Sequence, residues 1–408
     1  MVTKKEVIWN TLGSFFDALV SALLLMFCTR LNGTEIAGMF SISFTTAVLL
    51  NALGDFGIRI YQVTDTNRKY KFGEYLVTRL IVVTLMLFVG LSFIIVTGYT
   101  AEKLGICVAL IMYKIIDNLS ETYQGEFQLR NKLDLSGKSM VIRIVSSLSV
   151  FLLIDIISKN VVLASFSMVL TNLIIFLLWD VRILSKMEKI KIEIDKTHIK
   201  EIIQGCLPLA ISTGLSLYII NANKYAIDNF GDYTMQTFFN VVYMPTYVIN
   251  LVSTFVIKPF LKPFGEYWLG KEYGKFIKTI SIIVLILAAC TILIDLACFI
   301  LGVPILSLIY GLDLQSYKLE MLLLIISGFF YAASTVIMYA LSTMRKQKLT
   351  TVSYIITAVL ALIVSNLFVN KFGIMGAVWA NMITTITLFT TLVTFLTISL
   401  RKTKNSNW

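Results

Sequence analysis

Charged side chains are scarce in this chain of 408 residues. Asp, Glu, Lys and Arg together make up 14% of the sequence, whereas soluble domains usually carry about 25%. Hydrophobic residues make up 57%. So little charge does not suffice to cover the surface of a soluble domain of this length. The composition therefore excludes an ordinary soluble protein and points to the membrane.

Histidine is almost absent, which argues against zinc and copper sites. The only histidine is His198. Since zinc and copper sites usually combine several imidazole or thiolate ligands, one histidine predicts no such metal site. The five cysteines are scattered through apolar stretches, and an odd, scattered set is not typical of a disulfide framework.

Signatures of nucleotide chemistry are missing as well. No G-x-x-x-x-G-K-[ST] motif occurs, and no hydrophilic segment is long enough for a hydrolytic domain. The triplet Asp55-Phe56-Gly57 matches the magnesium-binding motif of protein kinases, but no His-Arg-Asp loop, G-x-G-x-x-G loop or V-A-I-K strand accompanies it. We expect that the protein is not an enzyme.

Long apolar runs fill most of the chain. Each is close to the length of about 20 residues that a membrane-spanning helix needs, and the runs are continuous rather than alternating, which indicates helices and not a barrel. The first run is expected to be a span and not a cleaved signal peptide. The sequence predicts an all-α polytopic membrane protein with twelve spans, at 8–29, 36–57, 75–97, 104–127, 139–157, 161–180, 202–222, 235–257, 278–302, 319–341, 350–369 and 374–399.

The basic residues indicate the orientation of these spans. If both termini are cytoplasmic, 29 of the 35 Lys and Arg residues fall on the cytoplasmic side and 6 on the other. This asymmetry follows the positive-inside rule. The net charge of +11 is thereby explained by topology and by contact with anionic membrane lipids, so no nucleic-acid partner is expected.

The chain divides near its middle. The most polar loop, 182–201, is predicted to be a charged cytoplasmic linker between two six-helix halves, 1–181 and 202–408. Two matching halves are typical of secondary transporters.

The fourth predicted helix carries a stripe of polar side chains at membrane depth. Lys114, Asp117, Asn118 and Glu121 have the spacing i, i+3, i+4 and i+7, which places them on one helix face. A charge in the bilayer centre costs about 3 kcal/mol on insertion scales, so this face does not contact lipid. The stripe favours a hydrophilic cavity between the halves, and internal pairing of Lys114 with Asp117 is the structural alternative.

Four more charged residues lie within or beside predicted spans and complete the candidate cavity. Arg143 begins the fifth helix, Asp17 lies midway along the first, and Asp295 interrupts the ninth. For both aspartates a cavity role and a purely structural role stay open. Lys224 lies near the outer end of the seventh helix, where we expect its side chain to reach the membrane surface rather than pack inside.

The inner end of the second predicted helix holds Asp55, Gly57 and Arg59. The acid and the arginine are expected one helical turn apart, where water and headgroups begin. Gly54 and Gly57 would permit close helix packing or a local break in the helix.

Several stretches, in chain order, resemble one family. These are RLNGTEIAGMF (30–40) followed by LGDFGIRIYQVTD (53–65), NKYAIDNFGDYTMQTFFNVVYMP (223–245), LSTMRKQKLTT (341–351) and KFGIMGAVWANMIT (371–384). Together with the number of predicted helices, they are similar to the Wzx-type polysaccharide flippases of the MOP superfamily.

The resemblance implies a flippase in a bacterial cytoplasmic membrane. Such proteins move undecaprenyl-pyrophosphate-linked oligosaccharide repeat units to the outer leaflet, for O-antigen, capsule or other exopolysaccharide, and a polysaccharide polymerase complex is an implied partner. The family's cavity is often cationic, whereas the charged residues at membrane depth here are of both signs. Asp17 or Asp295 is a candidate to bind a coupling proton or monovalent cation, and no other cofactor is expected.

Two other functions remain open on the sequence. A MATE-like cation-coupled drug exporter would share the superfamily fold and would explain acids in the first helix. A membrane-embedded polysaccharide polymerase or acyltransferase typically needs a large outer loop or a catalytic histidine. The outer loops here are short and His198 lies in the linker, which disfavours such an enzyme.

Overall fold

The computed structural model describes residues 4–65, 68–187, 195–257 and 260–405, and these form helices and short connections without a β-strand. Continuous helices are the expected result because lipid offers no partner for a free backbone N–H or C=O group. The predicted all-helical class is therefore confirmed. In chain order the helices are α1 (Lys4–Asp55), α2 (Ile58–Thr64), α3 (Phe72–Thr97), α4 (Ala101–Leu129), α5 (Leu133–Ser158), α6 (Val161–Ile175), α7 (Arg182–Met187), α8 (Lys196–Phe230), α9 (Tyr233–Ile257), α10 (Leu261–Leu269), α11 (Tyr273–Ala297), α12 (Val303–Tyr310), α13 (Lys318–Thr343) and α14 (Gln347–Asn405).

Three features interrupt this helical order. Gly33 in α1 and Gly373 in α14 have non-helical backbone angles, so each of these long helices is broken once. Two π-helical segments, Phe176–Val181 and Cys298–Gly302, join α6 to α7 and α11 to α12. A short 3₁₀ turn, Gln315–Tyr317, precedes α13.

Eight helical stretches within the described ranges are long and apolar enough to cross a membrane. The predicted windows fall on the helices, except that the second ends two residues beyond α1. Two windows lie in α4 and α9, which are not among the eight, so a full set of twelve spans stays a prediction. The eight stretches are Ile8–Thr64, Phe72–Thr97, Leu133–Ser158, Val161–Met187, Lys196–Phe230, Tyr273–Tyr310, Gln315–Thr343 and Gln347–Thr403.

The chain forms two compact units, Met1–Leu217 and Tyr218–Trp408, with the division inside α8. In the first unit α1 packs on α3, α4 and α5, and α6 packs on α4 and α5. The first part of α8 joins the same unit, since Ile202 and Cys206 share a buried cluster with Tyr75 of α3 and with Tyr70 just before it. In the second unit α13 packs on α9, α11 and α14. The predicted linker 182–201 falls partly outside the described residues, and the predicted domain limits stay a prediction.

Candidate functional site

A polar cavity of about 110 Å³ lies inside the first unit. It has room for several water molecules, but it is smaller than the roughly 300 to 1,000 Å³ of typical small-molecule sites. Its walls come from α1, α4 and α5. The lining residues are Asp17, Asn51, Lys114, Asp117, Asn118, Glu121, Gln124, Met140, Arg143 and Ile144.

The sequence-predicted candidates divide between this cavity and the second unit. Six of the eight candidates line the cavity: Asp17, Lys114, Asp117, Asn118, Glu121 and Arg143. The fourth helix supplies four of them on one face, as the spacing predicted. Lys224 and Asp295 belong to the second unit. Whether any of the eight contacts a substrate stays a prediction.

Asp117 lies at the centre of the charges around the cavity. Its Oδ1 is 2.8 Å from Arg143 Nη1 and its Oδ2 is 3.3 Å from Lys114 Nζ. Lys114 thus pairs with Asp117, as the structural alternative for the α4 stripe has it, and the stripe also lines a cavity inside the first unit. The predicted cavity between the halves stays a prediction. Because two cations face Asp117, its negative charge is fully compensated within the site.

Arg143 extends this network to a buried acid in the π-helical segment that follows α6. Its Nη1 donates to Asn172 Oδ1 at 2.9 Å, and its Nε is 4.0 Å from Asp180 Oδ2. Asp180 is fully buried and accepts hydrogen bonds from Ser120 at 2.6 Å and Ser139 at 2.9 Å. The sequence reading did not single out Asp180, because it ends an apolar window where a charge is unremarkable.

Two acids of the cavity lack such close compensation. Among the described residues, no basic nitrogen lies within 4.0 Å of the Asp17 carboxylate. The Glu121 carboxylate lies 3.9 Å from Arg79 Nη2, which is too far for a hydrogen bond. Asp17 and Glu121 are therefore the wall groups best able to receive a proton or a small cation.

Arg79 of α3 is fully buried and holds the end of α1 in place. Its Nη1 donates to the carbonyl oxygens of Gly54 and Asp55, and its Nε donates to Thr122 Oγ1 at 2.9 Å. The last carbonyls of a helix have no partner within the helix, and here a guanidinium supplies it. The distribution of basic residues assigned Arg79 to the cytoplasmic side and did not predict this capping role.

The helix-two motif differs from its prediction in one respect. α1 ends at Asp55, Gly57 has φ +71°, and Arg59 belongs to the separate helix α2. The expected spacing of one helical turn between Asp55 and Arg59 is therefore wrong, because Phe56 and Gly57 between them have left-handed backbone angles that interrupt the helix. Arg59 turns to Gln124 of α4, with Nη1 3.1 Å from Oε1. The predicted local break is present at Gly57.

A second, uncharged polar network lies in the second unit. Ser365 donates to Asn223 Oδ1 at 2.8 Å, Asn223 donates to Asn381 Oδ1 at 3.2 Å, and Asn381 donates to Ser327 Oγ at 2.6 Å. All four side chains are buried. The network ties α8, α13 and α14 together.

Lys224 lies beside this network, and its side chain is not placed as the sequence predicted. Only 5% of it is exposed, so its side chain does not reach the membrane surface as predicted. Its Nζ is 3.3 Å from Tyr247 Oη and 5.7 Å from the centre of the Tyr243 ring. Among the described residues, no carboxylate oxygen lies within 4.0 Å of this ammonium group.

Asp295 is half-buried near the end of α11, one turn before the π-helical segment Cys298–Gly302. Its Oδ1 is buried without a hydrogen-bond partner among the described residues. The leucines beside it in sequence, Leu293 and Leu296, are exposed as lipid-facing residues would be. Its role as an ion-binding acid stays a prediction.

Solved structures of known membrane proteins share the fold of this chain. The chain has a TM-score of 0.74 with the lipid II flippase MurJ in an inward closed conformation, at 12% identity over 96% of this chain and 87% of that one. It has a TM-score of 0.67 with an inward-facing MATE-family multidrug resistance transporter of the MOP superfamily, at 14% identity over 96% of both chains. This chain has the MOP-superfamily fold.

In sequence, the chain is 26% identical over 383 residues to the capsular polysaccharide biosynthesis protein CapF of Staphylococcus aureus, covering 90% of this chain and 92% of CapF. No family model matches the sequence. The fold that the resemblance to the MOP superfamily implied is confirmed. The eight long apolar helical stretches agree with the predicted multi-pass membrane protein, and its location in the inner membrane stays a prediction.

Proposed function

We propose that this protein is a flippase that translocates undecaprenyl-pyrophosphate-linked oligosaccharide repeat units across the bacterial cytoplasmic membrane. The observation that carries the proposal is the near full-length match to CapF in a chain with the fold of a lipid II flippase. A protein of this class performs transport and not covalent chemistry. The product would be capsule, O-antigen or another exopolysaccharide, and a polymerase complex would receive the translocated unit.

The proposed topology has twelve spans and cytoplasmic termini. The breaks at Gly33 and Gly373 would each divide one long helix into two spans. α4 and α9, with 29 and 25 residues, are long enough to cross the hydrocarbon core. The distribution of Lys and Arg supports the orientation.

The cavity suggests a separate role in energy coupling. A volume of about 110 Å³ is small for an oligosaccharide but suits a proton or a hydrated monovalent cation. Asp17 and Glu121 would receive it, because Asp117 is already compensated by Lys114 and Arg143. Asp295 is a second candidate, in the other unit.

The flippase proposal is tested by deleting the gene in its host and locating the lipid-linked repeat units. The expected result is intact repeat units trapped on the cytoplasmic leaflet and loss of surface polymer, both restored by the wild-type gene. Repeat units that reach the outer leaflet without polymerisation would make the protein a polymerase component instead. Unchanged surface polymer would favour the MATE-like drug exporter.

The coupling role is tested with purified protein in proteoliposomes, by following translocation of a labelled lipid-linked saccharide under imposed proton or sodium gradients. Asp17→Asn should abolish the response to the gradient. Asp313→Asn is the matched control, since Asp313 is exposed and receives a backbone hydrogen bond that Asn also accepts. A full response in Asp17→Asn would remove Asp17 from the coupling path.

A further inference from the structure

The fold brings the only histidine of the chain together with two carboxylates. His198 lies in the first turn of α8, Asp195 directly precedes α8, and Glu74 lies in the first turn of α3. His198 Nδ1 is 2.7 Å from Glu74 Oε1 and 3.9 Å from Asp195 Oδ2. The possible ligand atoms of these residues all lie within 4.8 Å of one another.

Both carboxylates are held so that one oxygen is left for the imidazole. Glu74 Oε2 accepts the backbone N–H of Lys71 at 2.7 Å, and this leaves Oε1 directed at His198. Asp195 Oδ1 accepts the backbone N–H of Thr197 at 2.8 Å, and Oδ2 is the oxygen nearer the ring. Such hydrogen bonds from a second layer of groups orient metal ligands in proteins.

The imidazole ring is positioned as well. Tyr70 packs edge-on against it, with 5.3 Å between the ring centres. Tyr70 itself donates from its hydroxyl to Glu201 at 2.8 Å, and Lys69 donates to the same Glu201 oxygen at 2.7 Å. Glu201 is thus occupied by Lys69 and Tyr70 and is not one of the three clustered residues.

The separations suit one metal ion. Zinc bound at about 2.0 to 2.2 Å to nitrogen and oxygen, in tetrahedral geometry, places neighbouring ligand atoms about 3.3 Å apart. The observed 2.7 and 3.9 Å from His198 Nδ1 lie on either side of that value, and no pair of ligand atoms is more than 4.8 Å apart. Side-chain movements of about 1 Å would therefore bring all three ligands to that spacing. Glu74 is only 4% exposed in its side chain, whereas His198 and Asp195 are 34% and 50% exposed. An ion would therefore have a path from solvent and a buried anionic ligand to hold it.

We infer that Glu74, Asp195 and His198 form a binding site for a divalent transition-metal ion, with Zn²⁺ as the best-fitting probe, that links the start of α3 to the start of α8. One imidazole and two carboxylates supply three ligands, and solvent completes the tetrahedron. A sequence with one histidine predicted no metal site, because it does not show that Glu74 lies beside a residue 124 positions away.

The site is tested by Zn²⁺ titration calorimetry on the full chain in detergent micelles, without a histidine affinity tag, and by the visible spectrum of the Co²⁺-loaded protein. The wild type should bind one Zn²⁺. His198→Gln and Asp195→Asn should each weaken binding by at least the 10- to 100-fold typical even of second-layer ligand partners. Asn caps a helix as well as Asp does, so the second variant keeps the α8 start folded.

Asp313→Asn is the control, because Asp313 is an exposed acid of the second unit and its replacement should leave the Zn²⁺ affinity unchanged. Equal affinity in the wild type, His198→Gln and Asp195→Asn would show adventitious binding elsewhere and overturn the site. A wild type that binds no Zn²⁺ would overturn it as well. None of these outcomes depends on transport, so the site and the proposed flippase function fail or stand separately.

Discussion

The guanidinium of Arg79 lies closer to the backbone of Asp55 than to its carboxylate. Nη1 is 2.8 Å from the carbonyl oxygen of Asp55 and 3.9 Å from its Oδ1. Arg79 thus acts first as a cap for the end of α1, and only second as an ion-pair partner. The acid and glycines at the end of this apolar helix mark the place where α1 stops and a buried arginine caps it.

Arg79→Met is therefore expected to lower stability strongly. It leaves the carbonyls of Gly54 and Asp55 and the hydroxyl of Thr122 without their donor, and it leaves Glu121 without its nearby cation. Removing one partner of a buried charged network costs about 3 to 5 kcal/mol. Thermal unfolding in detergent measures the change. Arg182→Met is the control, since Arg182 is exposed; equal melting of the two variants would contradict the capping role.

Gly57→Ala is expected to destabilise the protein for two reasons. The backbone at Gly57 has φ +71°, and an added Cβ would come within 2.5 Å of Leu209 Cδ2. The left-handed conformation alone costs a residue with a side chain about 1 to 2 kcal/mol. Gly265→Ala in α10 is the control with the opposite sign, because an added Cβ there meets nothing within 4 Å and alanine favours a helix by about 1 kcal/mol. A melting temperature that rises in both variants would contradict the reading of Gly57.

Asp117→Asn is expected to lower stability, and adding Lys114→Gln is expected to recover part of the loss. The single change leaves Arg143 and Lys114 near a neutral side chain, whereas the double change removes one of the two cations. Contacting residues typically couple by about 0.5 to 3 kcal/mol. A double-mutant cycle on thermal unfolding measures the coupling. Additive losses would mean that the pair at 3.3 Å contributes nothing measurable.

The sequence predicted what one helix determines and missed what several helices determine together. The polar face of α4 follows from spacing alone, because residues at i, i+3, i+4 and i+7 share a face in any helix. The sequence did not predict that Arg79 and Asp180 are buried, because each lies near the end of an apolar window, where a charge usually reaches water. Their burial depends on neighbours that the local pattern does not reveal.

Lys224 is a further residue whose burial the local sequence did not predict. Its place near the end of a predicted span suggested a side chain that reaches the surface, yet Tyr243 and Tyr247 from α9 cover it. Covering by another helix is a tertiary property, and distance along the span does not report it. The cluster of Glu74, Asp195 and His198 was missed for the same physical reason.

Because Lys224 is buried, replacing it tests whether the lysine serves stability or transport. Replacing a buried charge with an apolar side chain of similar size is often neutral or stabilising, provided that no charged partner is left behind. Among the described residues no carboxylate lies within 4.0 Å of this lysine. Lys224→Met should therefore fold and melt at or above the wild-type temperature.

Transport should nevertheless fall if this ammonium contacts the pyrophosphate of the proposed lipid-linked substrate. The measurement is complementation of the deletion strain, read as surface polymer per molecule of membrane-inserted protein. Lys371→Met is the matched control, because Lys371 is exposed and its loss should leave polymer unchanged. A folded Lys224→Met variant with full complementation would place Lys224 outside the substrate path, and a poorly folded one would show that the ammonium serves packing instead.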